Sequence, residues 1–159
     1  MVDDVVIRER RSSDLDACVG VLRLTHEADS YPLNWPADPR RWLTPPRLLN
    51  AWVAEHPPGV IVGHVALDGA AGSGAELSRL FVSPAARRRS VARLLADHAL
   101  AWASERRLRV TLNVVDERRS AAVAFYEAAG WRYTHSSVAD WVGPHGENVT
   151  LRHYTWSGS

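Results

Sequence analysis

One strong helical pattern in the middle of the chain, with a strand-like segment on each side, constrains the fold most. Residues 91–106 carry apolar side chains at helical spacing, and the expected inner face consists of Val91, Leu94, Leu95, His98, Ala99 and Trp102. Residues 76–82 precede this helix and residues 109–115 follow it, and both segments are typical of strands. This order predicts a sheet with at least one helix packed on it.

The remaining segments extend the pattern in both directions. Strands are expected over residues 5–10, 49–54, 60–67, 131–138 and 150–156, and further helices are expected after the caps Ser13 and Ser120. Residues 25–46 are rich in proline and aromatic side chains and are expected to be irregular, apart from a short helix capped by Asp38. The order of elements predicts an α+β or three-layer α/β-like fold with one mixed sheet, in a single domain over residues 1–159.

The charges and the single cysteine exclude several classes of function. The 159 residues carry a net charge of +1, and all 19 basic residues are arginine, which excludes a lysine Schiff base. Cys18 is the only cysteine and shares a helix face with Leu15, Val19 and Leu22, which favours a core thiol over a nucleophile. The seven histidines show no zinc-like spacing, so no metal is expected. Because no long apolar run is present, we expect no signal peptide, no membrane partner and a cytoplasmic location.

The loop between the strand at residues 76–82 and the long helix has the features of an anion site. A tight turn into a helix start exposes unpaired main-chain N–H groups, and the helix dipole favours a bound phosphate there. Arg87, Arg88 and Arg89 add positive charge, and the small residues Ser90 and Ala92 let a ligand approach the backbone. From these residues alone, a pyrophosphate-binding turn and a solvated basic loop remain equally good interpretations.

The surrounding motifs resemble those of the GNAT acetyltransferase family. The resemblance covers most of the chain and is clearest over residues 75–133. Residues 76–84 (ELSRLFVSP) are similar to the family's central strand and its exit, residues 87–92 (RRRSVA) fall on its Arg/Gln-x-x-Gly-x-Gly/Ala loop, and residues 125–131 (FYEAAGW) are similar to its later helix-to-strand signature. The resemblance implies an acyl-CoA N-acyltransferase fold, with a mostly antiparallel sheet of six or seven strands and a splayed central strand pair.

The resemblance also implies a cosubstrate, acetyl-CoA, and places it. The pantetheine arm would enter between the strand that carries Leu80, Phe81 and Val82 and the strand that carries Asn113, and the pyrophosphate would lie on main-chain N–H groups. The implied cofactor-binding residues are Leu80, Phe81, Val82, Arg87, Arg88, Arg89, Ser90, Val91, Ala92 and Arg93. Arg88 and Ser90 stand where the family usually has glycine, so a positive φ at Ser90 would strain the loop.

Two residues are the expected catalysts of direct acyl transfer to an amine. Tyr126 matches the family tyrosine near the coenzyme sulfur and is expected to act as general acid, the alternative being an aromatic core residue. Glu76 is expected to act on the amine through water, the alternative being an exposed acid on a strand. The N–H group near Leu80 is the candidate donor to the oxyanion.

Acceptor contacts and partners follow from the resemblance as well. The expected acceptor-binding residues are His26, Asp29, Tyr31, Trp35 and Asn113, and local packing of the proline-rich loop is the alternative for each of the first four. The acceptor is a small-molecule amine or a peptide or protein amine, and the resemblance allows a homodimer. Two other functions stay open: a non-catalytic coenzyme A sensor, and a nucleic-acid-binding module using Arg87, Arg88, Arg89, Arg118 and Arg119, against which the near-neutral charge argues.

Overall fold

The computed structural model describes residues 5–70, 72–87, 90–117 and 120–157. Within them, one seven-stranded sheet is flanked by four α-helices. The strands are β1 (Val6–Glu9), β2 (Leu48–Glu55), β3 (Ile61–Gly69), β4 (Gly74–Val82), β5 (Arg109–Val115), β6 (Arg132–Val142) and β7 (Asn148–Thr155). The helices are α1 (Leu15–Asp29), α2 (Pro39–Trp42), α3 (Val91–Glu105) and α4 (Ala121–Ala128). The mixed-sheet prediction is confirmed.

The helices cover both faces of the sheet, which gives the predicted three layers. On one face, Cys18 and Leu22 of α1 pack with Leu43, Val53 and Phe81. On the other face, α3 and α4 pack on the larger core, which contains the side chains of Leu77, Leu95, Leu112, Tyr126 and Trp131. Cys18 is fully buried, and burial raises the pKa of its thiol to about 12, so the core-thiol interpretation is confirmed.

The sheet order β1-β2-β3-β4-β5-β7-β6 contains one parallel pair among the strands that the structure describes, β4 with β5. Their pairing runs from Gly74 opposite Arg109 to Glu76 opposite Thr111 and goes no further. Both strands continue, to Val82 and Val115 respectively, while β4 stays paired with β3. The two strands therefore diverge at their carboxyl ends, which confirms the predicted splayed pair.

Three expectations about helices were wrong. Ser13 was expected to cap the first helix, but it lies in a 3-10 turn, Ser12–Asp14, and Asp14 occupies the N-cap position of α1. The irregular stretch was expected to begin at residue 25, but α1 continues to Asp29, because residues 25–29 contain neither proline nor glycine and the chain turns only at Ser30, whose φ is 57°. His26 and Asp29 therefore lie on the last turn of a helix and not in a loop.

The buried face of α3 also differs from the predicted one. It consists of Val91, Leu95, Ala96, Ala99, Leu100 and Ala103, while His98 is exposed. The helix packs closely on β3, where a Cβ at Gly63 would lie 2.9 Å from the Leu95 side chain. Such a close approach favours the alanines and moves the larger rings of His98 and Trp102 to the rim, against Trp52.

None of the helices over the described residues is long and apolar enough to cross a membrane. The cytoplasmic location expected from the sequence stays a prediction.

Candidate active site

The end of β4 presents main-chain groups to the gap beside β5. Ser83 donates its N–H to the Val62 carbonyl at 2.7 Å, so the neighbouring pair, Gly63 and Val82, is of the non-hydrogen-bonded kind. The N–H and C=O groups of Val82 consequently point away from β3. The Phe81 side chain is 4% exposed and stacks on His64, so it belongs to the core. Of the predicted cofactor residues on β4, Val82 and Leu80 border the gap.

The amino end of α3 lies just after this strand and offers free donors. A short 3-10 turn, Pro84–Ala86, leads from β4 to Arg87. Among the residues that the structure describes, the first hydrogen bond of the helix runs from Leu94 N–H to the Ser90 carbonyl, and the N–H groups of Val91, Ala92 and Arg93 have no helical acceptor there. Three adjacent donors at the positive end of a helix of 15 residues suit a phosphate group. Arg88 and Arg89, also predicted here, lie outside the described residues.

Ser90, which stands where the family usually has glycine, adopts the positive φ that strains a serine. Its φ is 58° and its ψ is 25°, in the left-handed region, and its hydroxyl makes no capping hydrogen bond. A residue with a Cβ is less stable in this region by about 1–2 kcal/mol. The turn into α3 is therefore strained, and the strain lies at the predicted pyrophosphate site.

An ion pair joins the predicted cofactor loop to α1. Arg87 binds Asp29 through Nη2 and Oδ2, and the same nitrogen lies 3.5 Å from the Val82 carbonyl. Asp29 was predicted to contact the acceptor, but its partner places it beside the cofactor loop. Both side chains are close to half exposed, so this pair contributes little to stability.

Glu76 is the last residue of β4 that pairs with β5, so it lies where the gap opens. It stands directly opposite Asp68 of β3, and the Asn113 amide of β5 donates to its carboxylate at 3.4 Å. Burial and, next, the charge of Asp68 raise the pKa of Glu76, while Arg79 and the Asn113 hydrogen bond oppose the shift. A carboxylate with a raised pKa is a stronger base, which suits the role predicted for Glu76.

Tyr126 presents a hydroxyl group with no hydrogen-bond partner in the described part of the chain. The side chain is 8% exposed, and its ring makes edge contacts with Phe125 and Trp131. None of the hydrogen bonds among the described residues involves this hydroxyl. Burial, helped by the nearby Tyr31 phenol, raises its pKa far above the usual value of a tyrosine, so it stays protonated. A buried phenol that stays protonated can act as a proton donor.

The aromatic side chains predicted at the acceptor side lie together along the carboxyl end of α1. His26 donates from Nδ1 to the Pro32 carbonyl at 2.6 Å, and its ring lies 5.4 Å from that of Trp35. The Tyr31 ring packs between those of Trp42 and Phe81. The structure therefore brings His26 and Trp35 together, packs Tyr31 against other rings, and places Asn113 on β5 beside Glu76.

Three residues near the gap were missed from the sequence: Asp68, His64 and Arg79. The contacts of each depend on which residues of β3 and β4 lie opposite each other, and this register shifts between His64 and Ala66. Alternation along a single strand does not reveal such a shift. Among the described residues, no group of three or more side chains of histidine, cysteine, aspartate or glutamate converges as a metal site would require.

Comparisons with known proteins agree with this geometry. The model of the acetyltransferase (GNAT) family matches residues 16–131. The peptidyl-lysine N-acetyltransferase YjaB of Escherichia coli strain K12 is 36% identical over 92 residues, which are 58% of this chain and 56% of YjaB. The match thus spans little more than half the length of that relative.

Solved structures share the fold at low identity. The ribosomal-protein-S18-alanine N-acetyltransferase of Escherichia coli superposes with a TM-score of 0.74 at 18% identity, covering 98% of this chain and 96% of that one. YncA of Salmonella typhimurium, solved with its cofactor acetyl-CoA, gives a TM-score of 0.68 at 17% identity, covering 96% of this chain and 93% of that one.

The parallel pair β4–β5, which opens beside the amino end of α3, lies in a fold that the chain shares with these acetyltransferases. The chain therefore belongs to the acetyltransferase (GNAT) family.

Proposed function

We propose that the chain, as a single domain over residues 1–159, transfers an acetyl group from acetyl-CoA directly to a primary amine of a peptide, a protein or a small molecule. The observation that carries the proposal is the opening between β4 and β5, with the free N–H groups of α3 at its mouth. The donor residues fit the molecule: the α3 amino end suits the pyrophosphate, the Val82 main chain suits the amides of pantetheine, and Arg87 adds a cation.

In the proposed reaction the amine nitrogen attacks the thioester carbon, so that a C–N bond forms and the C–S bond breaks. Glu76 takes the proton that the amine gives up, through a water molecule, and Tyr126 donates its phenolic proton to the leaving sulfur. The N–H group near Leu80 is the proposed donor to the carbonyl oxygen as negative charge develops on it. Both side chains then exchange protons with solvent and return to their starting states.

The surroundings favour a cationic acceptor. Glu76 supplies a carboxylate at the gap, while Asp68 opposite it is paired with Arg79. The rings of His26 and Trp35 lie 5.4 Å apart, and aromatic rings suit a cationic side chain such as lysine. The similarity to a peptidyl-lysine N-acetyltransferase supports a peptide or protein lysine as the first acceptor to test. A non-catalytic coenzyme A sensor would not explain why the buried Tyr126 hydroxyl has no hydrogen bond to the described residues. Of the arginines on which the nucleic-acid alternative rests, Arg87 is described and pairs with Asp29.

Titration calorimetry with acetyl-CoA tests the donor site. We expect micromolar binding to the wild type and binding about tenfold weaker in Arg87→Ala, because one charge-assisted contact to phosphate is lost. Arg109→Ala is the matched control, since Arg109 is an exposed arginine at the start of β5, at the end of the strand away from the gap. The affinity of this variant should equal that of the wild type. A folded wild type that binds no acetyl-CoA would contradict the proposal.

The dependence of kcat/KM on pH tests Glu76 as the base. Activity should fall at acidic pH as Glu76 becomes protonated, with a midpoint above the usual value of 4.5, because burial and Asp68 raise its pKa. Asp68→Asn removes the negative charge that lies opposite Glu76. The pKa of Glu76 should then fall, and the acid limb should move to lower pH. Glu76→Gln should lower kcat about 100-fold and abolish this limb. An acid limb that stays unchanged in Glu76→Gln would exclude Glu76 as the base.

A further inference from the structure

Strand β4 contains a bulge just beyond its last pair with β5. Against β3, the register changes between His64, which lies opposite Phe81, and Ala66, which lies opposite Ser78, so β4 carries one extra residue here. Arg79 sits in this bulge with a φ of 51°, in the left-handed region. Without compensating contacts, a residue other than glycine is unfavourable in this conformation. The bulge must therefore be held by its neighbours.

His64 holds the main chain of the bulge. Its side chain is fully buried, and its Nδ1 lies 2.9 Å from the Arg79 carbonyl oxygen. Its Nε2 lies 2.9 Å from Nη1 of Arg10. Because a guanidinium group can only donate, Nε2 must accept and Nδ1 must carry the proton that is donated to Arg79. Both nitrogen atoms of this neutral imidazole are thus used, and its ring stacks on Phe81 at 5.1 Å.

Two arginines connect this hydrogen-bonded chain to the segment that follows α2. Arg10 also donates to the Leu43 carbonyl and to the Thr44 hydroxyl, both at 2.7 Å. The Arg79 side chain donates from Nε to the Trp42 carbonyl at 2.6 Å, and its guanidinium group lies over the Trp42 ring. Residues 42–44 follow the segment that carries Tyr31 and Trp35, two of the residues predicted to contact the acceptor. The bulge is therefore fixed both from the sheet and from the acceptor side.

We propose that His64, supported by Arg10, is a positioning residue for the donor site: it holds the Arg79 peptide in the bulge that turns residues 80–82 away from β5. A bulge bends its strand and increases the local twist, and pairing with β5 stops at Glu76, three residues before Arg79. The main chain of Val82, which faces the gap, follows directly. The proposal rests on the proposed function, because the gap matters only if acetyl-CoA occupies it.

Paired substitutions test this role through the affinity for acetyl-CoA. His64→Leu removes both hydrogen bonds and should weaken acetyl-CoA binding about tenfold or more in calorimetry, because the bulge loses its anchor. His64→Asn places an amide N–H close to the position of Nδ1 and should restore most of the affinity. Leu22→Ala is the control for lost stability, since Leu22 is fully buried in the cluster that contains Phe81 and takes no part in the hydrogen bonds of His64 and Arg79; its affinity should stay within twofold of the wild type.

A second measurement separates positioning from general destabilisation. Amide hydrogen exchange at Phe81, which pairs with His64, should accelerate about tenfold in His64→Leu, while exchange in β2 should follow global stability alone. If His64→Leu does not fold, Arg10→Met carries the test, and its acetyl-CoA affinity should fall several-fold. Affinities of these variants equal to that of Leu22→Ala would overturn the role of His64, whereas a wild type that binds no acetyl-CoA would overturn the proposed function itself.

Discussion

Replacing Tyr126 with phenylalanine should lower kcat about 100-fold and leave the affinity for acetyl-CoA unchanged. The substitution removes only the hydroxyl group, which makes no hydrogen bond to the described residues, and leaves the ring on Phe125 and Trp131. General acid catalysis contributes about 10²- to 10⁴-fold, so loss of the proton donor should reduce turnover and not binding. Steady-state kinetics with a lysine peptide, together with calorimetry, measure the two quantities separately.

Tyr154→Phe is the matched control, because Tyr154 also has a buried ring but uses its hydroxyl structurally. It donates to Glu127 at 2.7 Å and accepts from Arg152 at 3.0 Å. We expect this variant to lose about 1 kcal/mol of stability and to keep its kcat. The two tyrosines should therefore show opposite effects. A Tyr126→Phe enzyme with kcat within threefold of the wild type would make Tyr126 a core residue and leave the leaving sulfur without an acid.

Much of the fold could be predicted because local patterns carry it. The bounds of β5 agree with the prediction at both ends, and Ser120 caps α4 as expected, with its hydroxyl accepting from Val123 N–H. The end of α1 was missed because residues 25–29 were predicted to share the irregular structure of the proline-rich segment that follows them. Their own side chains are compatible with a helix. The buried face of α3 was missed because its packing depends on how closely Gly63 lets the helix approach.

The candidate site was predictable only where a local motif marks it. Tyr126 and the residues around the amino end of α3 lie in short motifs, so the sequence alone marks them as candidates. The contacts that tune the site cross the sheet: Arg87 meets Asp29 from 58 residues away, and Asp68 meets Glu76 through strand register. A bulge moves register by one residue, so even a correct assignment of β3 and β4 does not predict which side chains face each other.

Acidification between pH 6.5 and pH 5 should reduce the free energy of unfolding by about 2 kcal/mol through His64 alone. Burial, with the charges of Arg10 and Arg79 opposing protonation, lowers the pKa of His64 from 6.5 to about 3 in the folded protein. Below pH 6.5 the unfolded chain takes up a proton that the folded protein refuses, so stability falls as the pH falls, by about 1.4 kcal/mol per pH unit. The loss continues until the pH reaches the folded pKa. Urea denaturation at several pH values in this range measures it.

His64→Asn isolates this contribution, because asparagine does not titrate and keeps a donor near the Arg79 carbonyl. Its stability should depend on pH less steeply than that of the wild type by about one proton, since His153 and the other histidines remain in both proteins. Asp14 and Glu55, whose pKa values Arg8 lowers, lose their contributions below the ordinary carboxylate values of 3.8 and 4.5, outside this range. Equal pH dependence in the two proteins would mean that His64 can hold a proton in the fold. Nε2 would then carry a proton and could not accept from Arg10, so Arg10 would not support the imidazole at acidic pH.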